Sequence, residues 1–202
     1  MGLQAIFDNA SSMKVTNRPF VAQSITRSGV VRTVERGNAI WRFEVELPNG
    51  APWQEEYRSI IANYTKNDRL IPETIDFSNS GFGWMFPYLG SEPNIANVRL
   101  NVINNAISIA TGVTITSGFV FKAGDLIELI GGAVYQVTED VAWDDTVVPV
   151  HRPPVESVGT YDIRVGGAAR FTVLCISMPN FSFVERNQVA WDGAFVFQEV
   201  IS

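Results

Sequence analysis

The spacing of apolar residues changes period once along the chain. Over residues 39–47, Trp41, Phe43, Val45 and Leu47 alternate with Arg42, Glu44 and Glu46. That period of two is the mark of a strand with one buried face. Over residues 52–67 the spacing lengthens: Trp53, Tyr57, Ile60, Ile61 and Tyr64 fall on one helical face, with Glu55, Arg58, Ser59, Asn63 and Lys66 off it. Pro52 suits the first helical position, Glu55 and Glu56 the first turn and Lys66 the last, with Asn67 and Asp68 as the stop. The pattern predicts one amphipathic helix, about 24 Å long. A lone helix of this kind needs a partner surface, and the rest of the chain offers strands.

Those strands are predicted over 20–27, 30–35 and 70–77, with turns at Ser28-Gly29 and Gly37-Asn38. Residues 1–18 are polar enough to suggest an N-terminal arm. From 91 to 159 the runs are short: 98–102 and 106–109 flank Asn104-Asn105, 125–130 and 133–138 flank Gly131-Gly132, and 113–116 and 147–151 complete the set. This stretch reads as an inserted β subdomain, small and barrel-like. Longer runs return at 161–165, 170–177, 181–185 and 194–201. The expected fold is mainly β: a β-sandwich or split barrel from residues 19–90 and 160–202, flanked by the helix at 52–67 and carrying the insertion.

Between these runs, residues 78–90 form an unusual loop. It is glycine-rich, yet holds Phe82, Trp84, Met85, Phe86, Tyr88 and Leu89. A loop this apolar must fold back on its own core or dock on another chain, and these six residues are the candidate interface.

Composition narrows the function. The chain has 202 residues, a formal charge of −6 and a pI near 4.8, which argues against an electrostatic grip on nucleic acid or an anionic membrane. No apolar run approaches the roughly 20 residues of a membrane span, and Met1-Gly2-Leu3-Gln4 lacks a basic start, so synthesis in a cytoplasm is expected. The single cysteine, Cys175, excludes an internal disulfide and sits in an apolar run.

Candidate chemistry is sparse. His151 is the only histidine, with no cysteine near it in sequence to build a zinc site. No Gly-x-Ser-x-Gly elbow, Walker loop or dinucleotide fingerprint is present. The acidic turn of Glu139, Asp140, Asp144 and Asp145 matches no calcium-loop spacing. Asn63-Tyr-Thr65 fits the glycosylation triplet but falls on the predicted helix. No catalytic, cofactor or metal residue is assigned, and the expectation is a structural part, not an enzyme.

Several runs resemble a family of tail proteins of tailed bacteriophages. They are Lys122-Ala-Gly-Asp125, the glycine turn, Tyr135-Gln-Val-Thr-Glu-Asp-Val141, the break at Val148-Pro-Val-His-Arg-Pro-Pro154, and the late runs Phe171-Thr-Val-Leu-Cys-Ile-Ser-Met-Pro179 and Gly193-Ala-Phe-Val-Phe-Gln-Glu-Val200. The resemblance covers about the last 80 residues well and the strand–helix unit loosely. It implies a tail-tube-like fold and a virion component at the tail tip or tube–baseplate junction. Such proteins close into rings, often sixfold, beside tail-tube and baseplate or hub proteins, and the genome passes through without specific binding. The alternative is a carbohydrate- or receptor-binding β module of a virion.

Overall fold

The computed structural model describes residues 3–25, 31–52, 58, 62, 71–78, 80–184 and 188–201, with the backbone alone for 18–25, 31–38 and 51–52. The fold is mainly β, and every strand pairing among the described residues is antiparallel.

A five-stranded sheet carries the first core. Its strands are β1 (Ser12–Ile25), β2 (Val31–Glu46), β4 (Glu73–Asp76), β13 (Arg170–Ser177) and β16 (Phe195–Glu199), in the order β1-β2-β16-β13-β4. The alternation in β2 does what its pattern predicts: Trp41, Phe43, Val45 and Leu47 are buried. Phe171, Val173 and Cys175 from β13 and Phe195 and Phe197 from β16 point into the same core. A three-stranded sheet, β14 (Asn180–Val184), β15 (Gln188–Asp192) and β3 (Ala51–Pro52), adds Val189 and Trp191 to it.

Several expectations need correction. Residues 3–18, expected within an N-terminal arm, are part of the fold. Gln4–Asp8 form a short helix, α1, which buries Ala5, Ile6 and Phe7, and β1 begins at Ser12. The Phe7 ring lies 4.7 Å from that of Phe197 and 5.4 Å from that of Phe77, centroid to centroid. Gln4 exchanges two hydrogen bonds with the Asp76 backbone, at 2.8 and 2.9 Å, and so ties α1 to β4. Five helical residues are too few to display a period, so the segment looked unstructured.

Gly37-Asn38 is no turn: β2 runs through it, and the ladder slips register where Phe20 pairs with Gly37. A glycine inside a strand marks an irregularity of this kind. Pro52 does not open the helix. It lies in β3, paired with Gln188 at the edge of its sheet, where a residue without N–H is tolerated. Arg58 and Ala62 are helical and exposed, one turn apart on one face. The predicted apolar stripe (Trp53, Tyr57, Ile60, Ile61 and Tyr64) lies outside the described residues, as does the Asn63 triplet.

The insertion is a barrel. Six strands follow the order β11-β6-β5-β12-β8-β9: β5 (Arg99–Ile103), β6 (Ala106–Thr111), β8 (Leu126–Leu129), β9 (Val134–Gln136), β11 (Val147–Val148) and β12 (Gly159–Val165). The two end strands then meet. Val137 bridges Val150, Thr138 N–H donates to Pro149 O at 3.0 Å, and His151 N–H donates to Gln136 O at 3.0 Å. Closure removes the open edges. The β5–β6 turn uses Asn104 and Asn105 at φ 52° and 60°, as that hairpin signal requires.

Strand β12 was expected on the flanking unit, but it ladders with β5 and β8 inside the barrel. Residues 113–116 form no strand; Glu92 holds them instead. A two-stranded sheet, β7 (Phe119–Phe121) with β10 (Val141–Ala142), and the strand β15 were not anticipated. The barrel has its own core, from Val98 to Ile163, while Leu126 and Val134 from its wall pack into the first core.

Candidate functional site

The aromatic loop is divided between fold and surface. Asp76 opens it, accepting from Ser78 N–H at 2.8 Å and Ser78 Oγ–H at 2.6 Å. Partial burial opposes charge on this carboxyl, yet the Ser78 bonds and nearby Arg170 hold it below the ordinary value. A tight 3-10 turn at Gly83–Met85 follows. Gly83 is required there, because a Cβ would stand 2.7 Å from Phe77 O.

Phe86 packs on Phe77 and Phe171, with ring centroids 5.7 and 6.5 Å away. The Tyr88 hydroxyl donates to Val120 O at 2.5 Å and accepts from Glu92 N–H at 3.1 Å. Burial pushes its phenol up to about 12, so it remains protonated. Phe86 and Tyr88 are therefore structural, and removing residues 82–89 would open the core. Phe82 and Met85 are half-buried. Trp84 and Leu89 are the surface members of the candidate interface, at 75% and 49% exposure.

Two buried carboxylates fasten the far side of the loop. Asp125 accepts from Leu89 N–H at 2.7 Å and Lys122 N–H at 2.8 Å. Burial, aided by Asp140, raises its pKa against those bonds. Glu92 accepts from Asn94 N–H at 3.0 Å, Thr114 N–H at 2.7 Å and Ile115 N–H at 3.1 Å, and from the Thr114 hydroxyl. Burial opposes its charge, but these donors outweigh it and bring its pKa down to about 2.

The two cores meet at a buried ion pair. Arg152, on the turn that closes the barrel, grips Glu199 of β16 with two bonds, Nη1 to Oε2 at 2.6 Å and Nη2 to Oε1 at 2.7 Å. The same nitrogens donate to Ala39 O at 2.7 Å and Val134 O at 3.1 Å. Glu199 also accepts from the backbone N–H of Trp41 and of Val134. The guanidinium lies over the Tyr135 ring, 5.2 Å from its centroid. Sequence reasoning missed this pair, whose members are 47 residues apart. One signal was present: alternation places Glu199 on the inward face with Phe195 and Phe197.

His151 stands beside this pair, against the rings of Trp41 and Tyr135. Its Nδ1 accepts from Gln136 N–H at 2.9 Å, so in the neutral ring Nε2 carries the proton. Nε2 has no hydrogen-bond partner among the described residues. Burial, with Arg152 adjacent, lowers its pKa to about 4.

The acidic turn is similarly occupied. Asp140 accepts from Ala123 N–H and Asp145 from Ala142 N–H. Among the described residues no group of three ligating side chains is placed to hold a metal. Cys175 is buried, and its thiol lies 3.5 Å from Ser177 O.

The shifts of Glu92 and His151 predict acid lability. Unfolded, the imidazole takes a proton near pH 6.5; folded, only near 4. The unfolded carboxyl takes one near 4.5, the folded one near 2. In both windows the unfolded chain binds the extra proton, so stability falls as pH drops. The loss begins below about pH 6.5, and Glu92 adds to it below about pH 4.5. Denaturant midpoints between pH 7 and pH 3 should show it, and Glu92→Gln should flatten the lower step. An unchanged midpoint from pH 7 to 3 would refute the assignment.

No protein-family model matches the sequence, and comparison with curated proteins finds no match.

Proposed function

We propose that the chain is a structural subunit that closes with copies of itself into a ring, in the tail of a tailed bacteriophage, at the tip or the tube–baseplate junction. One observation carries this reading. The β1–β2 ladder continues from Arg18–Ile40 to Ile25–Val31, whereas β16 pairs with β2 only between Arg42 and Val45. Among the described residues no third strand joins the outer part of this ribbon. At about 3.4 Å per residue it extends roughly 25 Å past the sheet. A two-stranded ribbon standing alone is marginal in water, and its open edges invite pairing. A neighbouring copy around a symmetry axis supplies that support.

The site chemistry is consistent with a mechanical role. Among the described residues, Glu92, Asp125, Glu128, Arg152 and Glu199 bond backbone groups or one another. The charge of −6 suits a lumen that lets DNA slide without adhering.

Native mass spectrometry and negative-stain imaging of the purified protein test the proposal. The expected result is a closed ring of fixed stoichiometry, six from the resemblance. A variant with residues 19–38 replaced by a short turn is expected to fold and remain monomeric. Unimpaired ring formation by that variant would remove the ribbon from the assembly mechanism.

A further inference from the structure

The sequence contains one Asn-Gly step, Asn49-Gly50. It forms the turn that leads from β2 to β3, and both residues are exposed to solvent. Gly50 sits at φ 73°, where a side chain would be strained, so the turn fixes the glycine. An asparagine followed by glycine is chemically labile. With no Cβ beside it, the glycine nitrogen can reach the Cγ of the asparagine amide. The N–Cγ bond forms, the Cγ–Nδ2 bond breaks, and the nitrogen's proton leaves with Nδ2 as ammonia. Water then opens the resulting succinimide at either carbonyl and leaves aspartate or isoaspartate.

Strand β15 holds both ends of the bond that would form. Gly50 N–H, the nucleophile, donates to Val189 O at 3.0 Å. Asn49 Oδ1, on the carbon under attack, accepts from Trp191 N–H at 2.8 Å. Val189 and Trp191 are alternate residues of one strand, and both side chains are buried in the first core, which anchors the clamp. The ladder continues beyond the turn, with Ala51 opposite Val189 and Pro52 opposite Gln188.

The two bonds act in opposite directions on the chemistry. Trp191 N–H would steady the negative charge that grows on Oδ1, as oxyanion donors do. Val189 O does the reverse at the nucleophile. The Gly50 nitrogen must give up its proton to attack, and a hydrogen bond made by the protonated form disfavours that loss. No succinimide forms without the nucleophile, so the Val189 bond decides.

We propose that Asn49 is a latent deamidation site, silent while β15 grips the turn and converted when the turn lets go. Strand β3 brings only two residues to its sheet, so release is a local event and does not require the whole chain to unfold. Conversion to isoaspartate carries the main chain through the side-chain carbon and adds an atom to the backbone. The register of Ala51 with Val189 is then lost. The proposal is independent of the ring reading above.

The test keeps the full chain at mildly alkaline pH, folded in one sample and unfolded in guanidinium chloride in the other. Peptide mapping by mass spectrometry follows residue 49 in both. The folded chain is expected to deamidate at Asn49 more slowly by about 30-fold or more, the effect of two ordinary hydrogen bonds. Hydrogen exchange gives a second reading: the Gly50 amide, although exposed, is expected to exchange more slowly than a free peptide by a similar factor. Gly50→Ala checks the nucleophile, since in the unfolded chain its added methyl should slow conversion of Asn49. Equal deamidation rates in the folded and unfolded samples would overturn the proposal, as would a Gly50 amide that exchanges at the free-peptide rate. An unfolded Gly50→Ala chain that deamidates as fast as the unaltered one would overturn the assigned chemistry.

Discussion

Replacing Arg152 with methionine is expected to destabilise the protein by about 3–5 kcal/mol, because it strands a buried carboxylate. The side chains of Arg152 and Glu199 are 1% and 2% exposed, so water cannot take over the lost bonds. Two carbonyls, Ala39 O and Val134 O, would lose their donor as well. Arg152→Lys should recover only part of the loss. An ammonium is a point charge and does not reproduce the planar fork that reaches both carboxylate oxygens. The double variant Arg152→Met with Glu199→Leu should regain most of the stability, since an apolar pair removes the naked charge. Urea unfolding of Arg152→Met, Glu199→Leu and the double variant gives the coupling energy directly. A loss below about 1 kcal/mol in Arg152→Met would mean that solvent reaches the pair.

Phe171→Ala is expected to cost a similar amount, about 3–5 kcal/mol, by opening a cavity at the centre of the first core. The ring of Phe171 lies 5.0 Å from Phe43, 5.6 Å from both Trp41 and Phe77, and 6.5 Å from Phe86. These rings come from β2, from the residue after β4 and from the aromatic loop, so no single backbone shift closes the hole. The control is Phe183→Ala: Phe183 is 63% exposed, and its loss should stay within about 0.5 kcal/mol. Equal midpoints for the two variants in urea would show that the core relaxes around the missing ring.

What the sequence made legible follows from the range of each interaction. The alternation in β2 and β16, the hairpin at Asn104-Asn105 and the glycine turn at Gly131 are written in neighbouring residues, and each is present in the fold. The burial of Phe7 was not legible, since it depends on Phe77 and Phe197, far along the chain. Residues 113–116 have strand-like composition, but their N–H groups go to one carboxylate at Glu92 instead of a ladder. The aromatic loop was conspicuous from composition alone. Which of its rings serve the core could be read only once Phe86 was seen against Phe171 and Tyr88 against Val120.

The chain leaves the first core after Phe86 and returns at Gly166, whose Cα lies so near that an added methyl would meet Phe86 O and Tyr88 N at 2.7 and 2.9 Å. Both ends of the barrel segment thus emerge side by side, a geometry that tolerates exchange of whole modules. The barrel segment meets its host through the apolar contacts of Leu126 and Val134 and owes it one buried cation, Arg152. Any replacement module must bring its own cation to Glu199, or the host must give up that carboxylate. Lineages that swap this module should therefore change residue 199 in step with it.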